Sequence, residues 1–360
     1  VKDKFQFLFA AALLGAALIF ETSCNSETKK NGNDTVKPDT SGANQVVKSD
    51  TGLSLADDGF TPVPYDAGGG AIRLRFALEK GNTYFLNTER DQVAWVSMTG
   101  QNEKISENLK LDQEHSPFSA SSGRKFGIRG TYTRVQYKQG LPTGTDSYDS
   151  KNKAGVTPPM VAKMHDVVIG RSLKWVLGES GKVDTLTGAD EAVLSVVEQM
   201  QEGAAKDMFR KKLVILFGNS YSANSLEFLT GMYPEGPVKK GDSWTRELQQ
   251  YSGMSLDILA KYEIADIQKD VASIRISGTV AGGPGESAIG SGLAGKLDVS
   301  GTIKGSATID LQSGWVKSSE ITFRFKGKLD AGSDQFPVDI SIVHLAKGGM
   351  KPVEREIPAN

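Results

Sequence analysis

Between Ala71 and Leu345 apolar residues recur at every second position in run after run, and at one place only, Asp190 to Met232, the period becomes that of a helix. Such a chain must bury one face of many short strands, with a single helical excursion between them. Ile72, Leu74, Phe76 and Leu78 alternate with Arg73, Arg75 and Ala77, which predicts a first strand with one wet face. Lys80, Gly81 and Asn82 form a turn into a second strand, Thr83 to Val96, marked by Tyr84, Leu86, Val93 and Trp95. Ile128 to Tyr137 follows, then Val167 to Leu177 and Lys182 to Leu186 as a hairpin. After Pro234 the strands return as Ser243 to Tyr251, Leu256 to Asp266 and Val271 to Val280. A meander closes the pattern over Lys296 to Ser300, Ser306 to Leu311, Val316 to Phe325 and Phe336 to Leu345. Forty glycines and 8% aromatics agree with many turns and few long helices.

The helical stretch begins with capping-box spacing, Thr187 to Asp190, and Val193, Val196, Val197 and Met200 lie on one face. Phe209, Leu213, Leu216 and Phe217 form a second apolar stripe, so two or three helices are expected. Strands, then helices, then strands predicts an α+β fold: an antiparallel, β-rich sheet or half-barrel with a central helical segment. The domains read as 71–186, an N-terminal β-rich half; 187–233, helical; 234–348, a C-terminal antiparallel half; and 349–360, a tail. Lys80-Gly81-Asn82-Thr83-Tyr84 is echoed by Lys240-Gly241-Asp242-Ser243-Trp244, each opening a strand-rich segment.

The first 24 residues have the order of an export signal. Lys2 and Lys4 precede an uncharged run from Phe5 to Phe20, then small residues Thr22 and Ser23 and the one cysteine, Cys24. The run is shorter than the roughly 20 residues of a membrane span. A thiol in this place is similar to the lipobox of bacterial lipoproteins, with Glu21 where an apolar residue is usual, and implies lipidation of Cys24 and attachment to a membrane. The alternative is an ordinary cleaved signal. Residues 25–70 are too polar to bury a core and read as a tether spanning on the order of 35–40 Å.

Chemistry is sparse. His115, His165 and His344 show no metal-ligand spacing, and no cofactor is expected. His165 beside Asp166 suggests half a relay, but strand neighbours point to opposite faces. Gly290, Gly292 and Gly295 match a dinucleotide pattern in the wrong context, ahead of a strand. Asp146, Asp149 and Asn152 lack a complete calcium loop and read as a solvated turn. With 42 basic and 43 acidic residues, nothing favours nucleic acid as a partner.

Leu74 to Tyr84 with its Lys-Gly turn, Tyr148-Asp149-Ser150, the strand pair Gly170 to Leu186, and Tyr233-Pro234 through Pro237 to Trp244 together resemble an uncharacterised family of bacterial lipoproteins, a domain of unknown function. The resemblance runs from about Ala71 to Leu345 and implies no catalytic residues. The expectation is an exported, lipid-anchored envelope protein, on the periplasmic face of the outer membrane, that binds an apolar ligand or lipid. Soluble periplasmic and cell-surface locations are the alternatives to that placement. Trp95, Trp175, Phe209, Phe217, Trp244 and Phe323 are the candidate lining of an apolar cavity, or else core. The competing expectation is a non-enzymatic scaffold that docks another envelope protein; a hydrolase ranks third.

Overall fold

Thirteen strands join one antiparallel sheet whose main path carries eleven of them, in the order β6-β5-β3-β2-β1-β13-β12-β11-β9-β8-β7. The computed structural model describes residues 70–98, 101–121, 125–142, 144–152, 165–178, 180–200, 202–250, 254–283, 287–289, 293–331 and 334–351. The export signal, Cys24, the tether and the tail after 351 lie outside them. The N-terminal strands are β1 (Thr83–Met98), β2 (Gln101–Ser121), β3 (Lys125–Leu141), β4 (Gly144–Asp149), β5 (Ser172–Gly178) and β6 (Val183–Thr187). Helices α1 (Ala189–Val197), α2 (Ala204–Phe217) and α3 (Asn219–Thr230) follow. The C-terminal strands are β7 (Ser243–Gln250), β8 (Leu256–Gln268), β9 (Val271–Gly282), β10 (Ser287–Ile289), β11 (Leu293–Asp310), β12 (Val316–Ala331) and β13 (Asp334–Lys351).

The path is a simple meander. Successive strands are neighbours, with β4 and β10 hung on β3 and β11, and the last strand returns to pair with the first: Thr83 opposes Lys351 and Val96 opposes Val338. Only β6 and β7 fail to meet, and the three helices are inserted in the chain between them. Helix α3 packs against both of those strands. The sheet is therefore a barrel left open along one seam, with a helix spanning the gap. Eight strands are about the number whose side chains alone fill a barrel. Eleven enclose more, and α3 supplies what the strands cannot: its Phe228 ring lies 5.5 Å from Phe323 of β12 and 5.8 Å from His344 of β13.

This corrects the expected α+β class. The molecule is largely β, because β1 and β13 zip the two strand-rich halves into one sheet and the helices are a single short insertion. The first expected strand is also absent. Ile72 makes one isolated bridge to Val238, and Arg75 and Ala77 are buried along with Leu74 and Phe76, so both faces are covered. The segment crosses one end of the barrel, where Phe76 meets Tyr233 at 5.2 Å and Trp315 at 6.2 Å. Two expected strands, 296–300 and 306–311, are one: β11 continues through Gly301 and Gly305 because its neighbours on both sides hold the ladder. The Lys-Gly echo has a structural counterpart, since Gly81 and Gly241 turn the chain into β1 and β7 with φ of 93° and 90°, a region open mainly to glycine.

Candidate functional site

The period of two sets what faces the interior. In β1 the even-numbered residues point inward: Tyr84, Leu86, Thr88, Arg90, Gln92, Ala94 and Val96 are all buried. That parity carries two long polar side chains, Arg90 and Gln92, to the inside. Register places His344 of β13 and Leu109 of β2 on either side of Arg90, with Tyr137 of β3 beyond Leu109. One row further along, Gln92, Glu107 and Gln139 lie abreast on β1, β2 and β3. The Arg90 guanidinium donates to the Glu107 carboxylate, with side chains only 9% and 13% exposed. An ion pair this deep holds together because removing either partner strands the other charge.

All three histidines border this region. Burial pushes His115 down to about 3. Burial and then the nearby Arg90 charge lower His344 to about 4. Burial and then Arg90 hold His165 at about 4, with Asp166 pulling the other way. The three imidazoles are neutral at pH 7. His165 packs on the rings of Tyr137 at 4.5 Å, Tyr148 at 5.5 Å and, edge-on, Phe217 at 5.6 Å. The Tyr148 hydroxyl donates to Asp166, and burial with that acidic neighbour raises its pKa.

Between Arg90 and the plugged end lies a cavity of about 40 Å³, whose lining includes Leu86, Thr88, Gln113, Trp175, Leu226 and His344. It has room for about three waters and no acyl chain. Trp175 is 1% exposed and packs where Gly130 lacks a side chain: a Cβ there would stand 2.0 Å from the indole. Neither the Trp175 Nε1 nor the His344 Nδ1 has a hydrogen-bond partner among the described residues. On the far side of Phe228 is a cleft of about 720 Å³ at the open seam, where α3 faces β7, β8 and β9. Phe228, Leu248, Ile258 and Leu259 form its apolar part, and Lys182, Glu227, Glu247 and Asp257 are among the polar residues that line the rest. Phe228 borders both spaces.

The expected lining residues scatter. Trp175 borders the inner cavity. Phe323 is buried in the interior against Phe228, and Phe209 and Phe217 are buried on α2. Trp244, half-buried on β7, donates to the Met232 carbonyl at 2.8 Å and stacks on Tyr262. Trp95 is on the outer face, 46% exposed, with the Lys104 ammonium 5.9 Å from its ring. Arg90, Glu107, Gln113, His344 and Phe228 were not anticipated. Ala94 and Val96, continuing the even parity of Tyr84 and Leu86, were the signal that placed Arg90 inside.

The other candidates are occupied or elsewhere. Asp149 accepts from Arg134 at 3.1 and 2.7 Å, and that bond holds its carboxyl down at about 2. Gly290 and Gly292 lie outside the described residues, while Gly295 is in β11. Among the described residues no cluster of three or more His, Cys, Asp or Glu has the arrangement of a metal site.

Residues 123–316, more than half of the chain, match the model of a family of unknown function, DUF6263. The chain belongs to that family. The DUF6263 match takes in Trp175, the helices, the seam and the cleft, and leaves β1 and β13 outside. No curated protein matches in sequence. Among solved structures, lipovitellin, described for its lipid–protein interactions, is similar at 9% identity over 79% of this chain and 27% of its own, with a TM-score of 0.40. The chain thus spans little more than a quarter of lipovitellin. The translocator domain of the autotransporter NalP from Neisseria meningitidis aligns at 4% identity over 76% of this chain and 90% of its own, TM-score 0.30. An outer-membrane channel from Pseudomonas putida F1 aligns at 7% over 79% and 99%, TM-score 0.20.

The faces of the strands argue against a barrel in lipid. Outward positions of β12 include Lys317, Glu320, Arg324, Lys326 and Lys328, all exposed. A single Lys or Arg on a lipid-facing surface costs about 2–4 kcal/mol at mid-membrane. This DUF6263 barrel has its apolar face inside and its charged face in water.

Proposed function

We propose that this chain is a non-enzymatic binding protein of the bacterial envelope, exported through residues 1–24, tethered by lipid on Cys24, and carrying an apolar or amphipathic small molecule in the seam cleft. The observation that carries the reading is the unzipped pair β6 and β7. Eleven strands with matching edges have every reason to close, since an unpaired edge leaves backbone donors and acceptors unused. Here the edge of β6 is satisfied differently: the Val183 amide donates to the Glu227 carboxylate of α3 at 3.0 Å, and the Thr230 hydroxyl to the Gly181 carbonyl at 2.8 Å. The seam is held by a helix, which moves more easily than a strand ladder, and beside it is a cleft in the size range of small-molecule sites. The order of the first 24 residues supports export, and outer-membrane placement facing the periplasm is part of the proposal.

A hydrolase has less in its favour. Asp166 is engaged by Tyr148, and His165 Nδ1 has no hydrogen-bond partner among the described residues. Docking of a protein strand on β7 is the second reading, favoured by that strand having one neighbour. The Trp244 and Arg246 side chains of that strand donate to the Met232 and Tyr233 carbonyls, which ties its first half to the segment after α3.

The test is saturable binding of a fluorescent apolar dye to the purified full chain, compared with Leu259→Lys. Leu259 is 48% exposed, so the substitution leaves folding intact while placing a charge in the cleft. Binding weakened tenfold or more is expected. Equal binding by both forms rules out the cleft.

A further inference from the structure

The inner cavity and the seam cleft are separated by one side chain, Phe228, yet they differ in chemistry. Leucines from β1, β2 and α3 make the apolar part of the cavity wall, and polar groups converge on it from five strands and the helix: Thr88, Gln113, Tyr132, Trp175, His344 and Ser222. Two of them are unsatisfied. Trp175 Nε1 is a donor and nothing else, so whatever meets it must be an acceptor. His344 Nδ1 can meet either a donor or an acceptor, depending on which ring nitrogen carries the proton. A buried polar atom without a partner is costly, and evolution usually removes it unless something binds there. The indole is also fixed in place, seated over Gly130 and 5.4 Å from the His115 ring. It is a preorganised donor in the cavity wall.

Charge narrows the class further. Arg90 borders the cavity, but Glu107 offsets it, and the histidines nearby are neutral at pH 7. A carboxylate or phosphate entering here brings a net negative charge into a low-dielectric space with no net positive charge to match it, which is strongly unfavourable. A hydroxyl or an ester carbonyl brings only hydrogen-bonding capacity. The cavity volume, about that of three waters, matches a head of two or three polar atoms.

We infer that the cavity beside Trp175 and His344 is the head-group subsite for an uncharged single-chain amphiphile, such as a monoacylglycerol, whose acyl chain lies in the seam cleft. This rests on the cleft reading above and extends it. The head reaches the cavity by displacing the Phe228 ring, the partition between the two spaces. The Trp175 indole donates to the head-group oxygen, and the chain runs out along Leu248, Ile258 and Leu259.

The experiment is competition against the bound dye on the purified full chain, using three probes of equal chain length: a monoacylglycerol, the corresponding fatty acid and the alkane. The subsite predicts that the monoacylglycerol displaces dye best. Trp175→Phe, which keeps a ring over Gly130 but deletes the donor, should weaken the monoacylglycerol about five- to tenfold and leave the alkane unchanged. Phe228→Ala, which joins the two spaces, should tighten the monoacylglycerol, with the fold of both variants checked by circular dichroism. Fatty acid binding more tightly than monoacylglycerol overturns the uncharged-head assignment. Monoacylglycerol and alkane affected alike by Trp175→Phe, or Phe228→Ala without effect, overturns the inner subsite while the cleft stands. Failure of dye and every probe to bind overturns the cleft reading itself.

Discussion

The two halves of the barrel are built from strands of the same period and filled in opposite ways. In β8, β9, β11 and β12 the inward residues include Leu256, Ile258, Tyr262, Ile264, Ile274, Ile276, Val299, Ile303, Ile321, Phe323 and Phe325. In β1, β2 and β3 the inward set includes Thr88, Arg90, Gln92, Gln113, His115 and Gln139, all buried. Burying an aliphatic side chain contributes about 1.5–3 kcal/mol, whereas a buried polar group contributes about 0.5–1.5 kcal/mol when its hydrogen bond is made and costs about 1–3 kcal/mol when it is not. The C-terminal half therefore contributes more of the stability, and the N-terminal half carries the buried polar groups. That division gives the open seam its sense, since the cleft belongs to the apolar half and the cavity to the polar one.

Acid breaks the comparison most strongly. Each of the three imidazoles has its folded pKa held at about 3 to 4, below the unfolded value near 6.5, so the unfolded chain binds more protons as pH falls between those values. Their contribution is present above pH 6.5 and is lost on going down toward pH 4, at up to about 1.4 kcal/mol per pH unit for each histidine. Urea unfolding at a series of pH values should show stability dropping steeply below pH 6, and His115→Asn should flatten that slope. A pH-independent midpoint between 6.5 and 4 removes the buried neutral histidines from the picture.

Next in size are substitutions that treat the halves differently. Phe323→Ala in the apolar half should cost about 3–5 kcal/mol by leaving a cavity against Phe228. Glu107→Gln should cost a similar amount, about 3–5 kcal/mol, by stranding the Arg90 charge. The two are separated by the double variant Arg90→Met with Glu107→Leu, which should recover most or all of the loss, as no rearrangement around Phe323→Ala can. Chemical denaturation of the four forms checks this. The smallest effect is expected on the outer face: Trp95→Ala should shift stability by no more than about 0.5 kcal/mol, which confirms that the even-numbered face of β1 is the inner one.

Much of the strand plan was legible in the residues. The hairpin β5–β6, the turn at Gln312 to Gly314, the helical interval and the Lys-Gly turns all follow from local period and turn chemistry, which act over a few residues. The 71–78 alternation misled because two-faced burial reads the same as a strand when the second face holds Arg75 and Ala77. Trp95 was assigned to the interior by its size, while parity put it outside; Arg90 was passed over because an isolated arginine in a strand ordinarily faces water.

By itself, then, the sequence determined where the helices and all strands but β2, β4 and β10 lie, and that the first 24 residues have the order of an export signal. Those properties depend on neighbours in the chain. Only the tertiary structure decided that β1 meets β13, that β6 and β7 stay apart, and that Arg90, Glu107, Trp175, Phe228 and His344 share one interior. Arg90 and His344 are 254 positions apart, and what brings them together is strand register, the collective outcome of a whole meander closing on itself, which no local pattern of residues encodes.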